Sequence, residues 1–105
     1  MRLLSTRSRE GDPTTSFSEA LLRGLAPDGG LYVPPLVRTL APEKLDALHG
    51  GTFSDTAVAV AQHLLGDELD EGLVESVVRD ACDFPVPLVA LEDDVHILEL
   101  FHGPT

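Results

Sequence analysis

Positive charge is scarce in this 105-residue chain, where seven lysines and arginines face 18 aspartates and glutamates for a formal net charge of -11. A field of that sign repels a polyphosphate backbone and an anionic membrane surface, so neither nucleic acid nor membrane is an expected partner. Cysteine is nearly missing too. Cys82 stands alone, which rules out an internal disulfide, and its place after Val77, Val78 and Ala81 predicts a buried small apolar side chain in a reducing compartment. Long hydrophobic runs are also lacking. Leu3-Leu4 is too short for a secretory signal, and no stretch nears the ~20 apolar residues that span a bilayer. A cytoplasmic location is expected.

Several catalytic signatures are absent as well. There is no G-x-S-x-G elbow, no Walker loop and no G-x-G-x-x-G. Four histidines, His49, His63, His96 and His102, show no H-x-x-x-H pairing, and one cysteine makes no thiolate cluster, so no metal site is expected. Asp93-Asp94 lacks a second acidic group at a defined distance. Nothing among these residues is expected to catalyse alone.

What is present is enough for one modest core, with 43% hydrophobic residues in a chain of single-domain length. The charge is uneven. Ten acidic residues lie from Asp67 to Asp94 with only Arg79 among them, while Arg2, Arg7 and Arg9 crowd the amino end; the acidic stretch reads as a solvated face.

Helical periodicity alternates with short turn signals, without repeats. Ser16-Phe17-Ser18-Glu19 is a capping box that starts a helix at Phe17, with Phe17, Ala20, Leu21 and Leu25 on one side and Gly24 as a left-handed stop closed by Leu25. Pro27-Asp28-Gly29-Gly30 is a turn before a short strand, Leu31 to Val33, which Pro34-Pro35 ends or confines to an edge. Pro42 opens a helix to about Leu48. A further helix runs from about Phe53 to Leu65. Asp70 caps the next, whose buried stripe is Leu73, Val74, Val77, Val78 and Ala81, and Pro85 and Pro87 bar its continuation. Leu88 to Leu91 and Val95 to Phe101 flank an acidic turn and read as a hairpin whose strands enter the core. With Arg2 to Ser5 these elements make an α+β domain, a small mixed sheet with about four helices.

Among the histidines, His102 stands apart. It ends an apolar strand directly before Gly103-Pro104-Thr105, where strand ends deliver side chains or amides to a ligand crevice. The structural roles open to the others are a helix C-terminal cation for His49, a helix position for His63 and a strand surface for His96.

Three segments then carry a resemblance. Ser5-Thr6-Arg7, the run from Ser16-Phe17 through Gly24-Leu25-Ala26-Pro27-Asp28-Gly29-Gly30-Leu31-Tyr32-Val33-Pro34, and Glu99-Leu100-Phe101-His102-Gly103-Pro104-Thr105 together resemble the amino-terminal domain of threonine synthase. The middle, from about Leu36 to Val89, matches only in its run of helices. Ser8 stands where many relatives have glycine. The resemblance implies a pyridoxal-phosphate enzyme of the tryptophan-synthase-β type, a carbon–oxygen lyase that converts O-phospho-L-homoserine and water into L-threonine and phosphate. It implies that residues 1–105 are the amino-terminal domain and that the cofactor-binding catalytic domain follows Thr105. The Schiff-base lysine is then expected just after Thr105, with no catalytic residue in this chain and no activity of the fragment alone. His102 and Thr105 are expected to line the cofactor cleft with Asp28 to Leu31 nearby, and Arg7 to contact substrate or else form a surface salt bridge. Two other readings remain open, an acidic interaction module of the same fold and a related phospholyase. Apolar surface at the strand end predicts that the fragment self-associates.

Overall fold

The computed structural model describes residues 1–104, and Thr105 lies outside the described residues. Its strands are β1 (Arg2–Ser5), β2 (Thr15–Ser16), β3 (Tyr32–Val33), β4 (Leu88–Glu92) and β5 (Val95–Leu98); its helices are α1 (Phe17–Arg23), α2 (Pro42–Ala47), α3 (Phe53–Leu65) and α4 (Glu71–Ala81). The α+β class with four helices is as expected. The strands, however, form two antiparallel sheets, β2-β1-β3 and β4-β5. β1 is the central strand of the first sheet, pairing with β2 and, across β2 and α1 in the chain, with β3, while β4 and β5 pair only with each other, so no single mixed sheet forms.

Helix boundaries follow local chemistry. Thr52 and Asp55 make a reciprocal capping box at α3, and Asp70 accepts the Leu73 N–H at α4. Gly24 ends α1 at φ 76°, donating its N–H to the Ala20 carbonyl. Leu25 nevertheless remains exposed and does not close this cap. The expected box at Ser16 forms only in half: Ser16 accepts the Glu19 N–H, but the Glu19 carboxylate turns to Arg23 at 2.7 Å. The next donors of α1 go to a residue far along the chain. Glu68, in the turn between α3 and α4, accepts the Phe17 N–H at 3.0 Å, the Ser18 N–H at 2.9 Å and the Ser18 hydroxyl at 3.0 Å, and pairs with the α-amino group of Met1 at 3.2 Å. The Ser18 and Phe17 amides, in that order, hold its carboxyl down at about 2 against the opposing pull of burial.

Helices α3 and α4 run antiparallel, tied near one end by Arg79 Nη1 to Asp55 Oδ1 at 3.0 Å and near the other by Gln62 Nε2 to the Glu71 carbonyl at 3.3 Å. Buried apolar side chains are few: Leu3, Ala20 and Ala26 in the amino-terminal layer, Val58 and Val74 between the two helices. The expected α4 stripe is only partly covered, since Val74 is 3% exposed while Leu73 and Val77 exceed half exposure, and Cys82 is half-buried. Too little of the chain packs over that face to cover it.

The β4-β5 hairpin departs most from expectation. Every residue of both strands is exposed, so neither strand enters the core. The turn is tight, with Asp94 at φ 62°, a left-handed conformation that a short carboxamide or carboxylate side chain tolerates. A radius of gyration of 16.6 Å exceeds the ~13 Å of a closely packed chain this long. The hairpin stands away from the rest.

Candidate functional site

Two polar clusters gather the residues singled out above. The first begins where β1 leaves its ladder with β3. The pairing of Ser5 with Tyr32 continues as Thr6 N–H to the Leu31 carbonyl at 2.8 Å, and Leu31 N–H to Thr6 Oγ1 at 3.0 Å. Asp28 sits across from it in the Ala26–Gly30 turn, with Gly29 at φ 76° and its N–H on the Ala26 carbonyl at 2.8 Å. The Asp28 carboxylate oxygen Oδ1 accepts the Ser5 hydroxyl at 2.7 Å and the Gly30 N–H at 2.9 Å. Those two bonds, the hydroxyl foremost and with Arg7 contributing at longer range, hold its carboxyl below the usual carboxylate range.

Ser5 Oγ in turn accepts the Arg7 N–H at 3.1 Å, while Arg7 Nη1 donates to the Asp28 carbonyl at 3.0 Å. Ser8 donates its hydroxyl to the Ser5 carbonyl at 2.8 Å, a bond glycine could not make. Gly30 is required by close approach, because a Cβ there would lie 2.0 Å from Ser5 Oγ. The Ser5-Thr6-Arg7 segment and the Asp28 to Leu31 turn are thus one knot. Among the described residues no carboxylate lies within 4 Å of the Arg7 guanidinium, which keeps donors beyond its bond to the Asp28 carbonyl.

The second cluster lies where the hairpin ends. Glu99 donates its N–H to the Pro87 carbonyl at 3.0 Å, extending the hairpin by one rung. Its carboxylate meets His102 Nε2 at 2.6 Å, and the His102 ring packs on Phe101 with centroids 4.6 Å apart. Gly103 lies against Phe84, whose ring atoms would be 3.1–3.4 Å from any Cβ placed there, and Phe84 packs on Phe53 of α3 at 5.5 Å. Asp80, Asp83, Phe84, His102, Gly103 and Pro104 line an open recess of about 290 Å³. No hydrogen bond or ion pair among the described residues links this cluster to the Arg7 knot.

The first cluster lies within, and the second beyond, the stretch that matches one enzyme family's profile. The sequence profile of the threonine synthase N terminus matches residues 2–82. This chain belongs to the threonine synthase family. Threonine synthase of Methylobacillus glycogenes is 37% identical over 100% of this chain and 24% of its own length. That of Escherichia coli is 32% identical over 92% of this chain and 23% of its own. In the solved structures, a pyridoxal-phosphate-bound threonine synthase from Brucella melitensis superposes with a TM-score of 0.83 at 39% identity, covering 99% of this chain and 23% of that one. The Escherichia coli enzyme gives 0.85 at 31% identity, covering 100% and 24%. This chain spans about a quarter of the length of the curated relatives it matches.

The fit to a pyridoxal phosphate group can be tested on the recess itself. Its titratable lining consists of Asp80, Asp83 and His102, and the chain's one lysine, Lys44, lies in α2. Two carboxylates repel a phosphate monoester, and no amine is at hand for a Schiff base. These residues offer at most one wall of a cofactor site. Among the described residues there is also no cluster of three or more histidine, cysteine or acidic side chains placed to hold a metal ion, and no helix long and apolar enough to cross a membrane.

Glu68 and Glu99 were not legible as working residues from sequence. Glu68 acts across 50 residues, a separation no local pattern reports. The spacing of Glu99 to His102 was the available signal, an acid three residues before a histidine at a strand exit.

Proposed function

We propose that residues 1–105 serve as the amino-terminal domain of a pyridoxal-phosphate-dependent threonine synthase, with the cofactor-binding catalytic domain following Thr105. The reaction is the conversion of O-phospho-L-homoserine and water into L-threonine and phosphate, a carbon–oxygen lyase step in the cytoplasm. The observation that carries this reading is the superposition of 99–100% of this chain on about a quarter of two threonine synthases at 31% and 39% identity, with a profile match to the family's N terminus. When bound, the cofactor supplies an electron sink, and its Schiff-base lysine lies in the following domain. This chain's part is to present His102 and Thr105 along the cleft and Arg7, whose guanidinium keeps donors beyond its bond to the Asp28 carbonyl, towards an anionic substrate.

The exposed hairpin supports a second element of the reading. Leu88, Leu91, Val95, Leu98, Leu100 and Phe101 are each more than half exposed, and apolar side chains gathered in this way mark an interaction surface. In the isolated chain this surface drives self-association, measurable as a concentration-dependent rise in sedimentation coefficient. A monomer at high concentration would count against it.

Assays of the complete gene product and of the 105-residue chain with phosphohomoserine test the assignment. The complete protein should bind pyridoxal phosphate and form threonine and phosphate in equal amounts, and the chain alone should form neither. Release of phosphate with a keto acid would identify a phospholyase instead. In the complete protein, His102→Ala and Thr105→Ala with unchanged kinetics would remove these residues from the cleft.

A further inference from the structure

In a regular strand, side chains three apart leave on opposite faces, so Glu99 and His102 could not meet if β5 ran on. They meet because β5 ends at Leu98 and the chain bends at His102 and Gly103, folding the imidazole back onto the carboxylate at 2.6 Å. Both sides of the pair are anchored independently. Glu99 is fixed by its N–H on the Pro87 carbonyl, the last rung of the hairpin, and the bend is fixed by Gly103 against Phe84. Phe84 itself rests on Phe53, so the pair is held between the hairpin and α3. With side-chain exposures of 33% for His102 and 26% for Glu99, it is sheltered enough for one charge-assisted bond to govern the ring.

We propose that Glu99 is a positioning residue that holds His102 in a single tautomer. Its carboxylate accepts the Nε2 proton, and Nδ1 is left as an unprotonated acceptor for a hydroxyl or N–H donor of a ligand in the cleft. The charged groups that share the recess with His102 are Asp80 and Asp83. Neither is hydrogen-bonded to the ring, so neither competes for its proton in this arrangement. The role of Nδ1 toward a ligand rests on the reading that His102 lines the cofactor cleft, whereas the tautomer does not.

Two-bond proton–nitrogen NMR on the complete protein reads the tautomer directly, with His96 of β5 as internal reference. The ratio of Nε2–H to Nδ1–H at His102 should exceed that at His96 by about tenfold. Glu99→Ala should abolish the excess, and Glu99→Gln, which keeps a neutral acceptor, should retain part of it. Equal ratios at His102 in the parent protein and in Glu99→Ala would overturn the proposal, as would a ring protonated at Nδ1 alone. In the complete protein, Glu99→Ala and His102→Gln should both raise the dissociation constant for pyridoxal phosphate or the KM for substrate. If the tautomer excess disappears in Glu99→Ala while both constants stay at their parent values, the positioning stands and the cleft reading of His102 falls.

Discussion

Replacing Gly30 with alanine would place a Cβ 2.0 Å from the Ser5 hydroxyl oxygen and 3.0 Å from both Asp28 Oδ1 and Thr6 Oγ1. Non-bonded atoms attract at about 3.5–4.0 Å, so the methyl group demands that Ser5 rotate away. Rotation breaks the hydroxyl's bonds to Asp28 and to the Arg7 N–H. Gly30 is not among the glycines at positive φ, so alanine carries no backbone strain and even gains about 0.4–1 kcal/mol from a less flexible unfolded chain. Overpacking a filled site costs about 1–3 kcal/mol. The balance is a net loss of about 1.5 kcal/mol, or roughly 8 °C in Tm for a domain this small. Thermal unfolding of the single and double variants tests the cause as well as the size. In a Ser5→Ala background the obstructing oxygen is gone, so Gly30→Ala should add little, with a coupling of about 1 kcal/mol between the two sites. Additivity within ~0.3 kcal/mol would refute the contact between the two segments.

Two other perturbations probe the rest of the chain. Leu3→Ala, at a side chain 4% exposed, should cost about 3 kcal/mol by urea denaturation, whereas Ile97→Ala, at 45% exposure on the hairpin, should cost less than about 1. Equal losses at low protein concentration would make the hairpin part of the core. For Glu68, a folded pKa of about 2 lies below the usual carboxylate value, so its contribution is complete above about pH 4.5 and is lost as pH falls from there towards 2. Glu68→Gln should flatten that part of the urea midpoint against pH, and an unchanged slope would deny Glu68 its bonds to α1.

The limits of a sequence reading follow the range of the forces involved. Helices α2, α3 and α4 were legible because Pro42, Asp70 and the apolar period are local signals, and their observed bounds lie within a residue or so of the expected ones. The two-residue strand β2 was not, since its residues carry no strand pattern and are ordered by pairing with β1. Ser5-Thr6-Arg7 and Asp28 to Leu31 were visible as separate signals, and only the β1-β3 register could bring them together. The capping of α1 by Glu68 was invisible for the same reason. Hairpin burial was misjudged because stretches rich in aliphatic residues report that a strand seeks cover, not which part of a protein supplies it.

The division of the pairings into three successive stretches of chain has a kinetic corollary. Strands β1, β2 and β3 with α1 close within residues 2–33, α3 with α4 within 53–81, and β4 with β5 within 88–98. Low contact order of this kind favours rapid formation of each unit. During synthesis, the amino-terminal layer and the helix pair can therefore assemble in the order they leave the ribosome, with no unit waiting on a distant strand. Ser18 and Glu68 then join the first two units only after the turn between α3 and α4 has emerged.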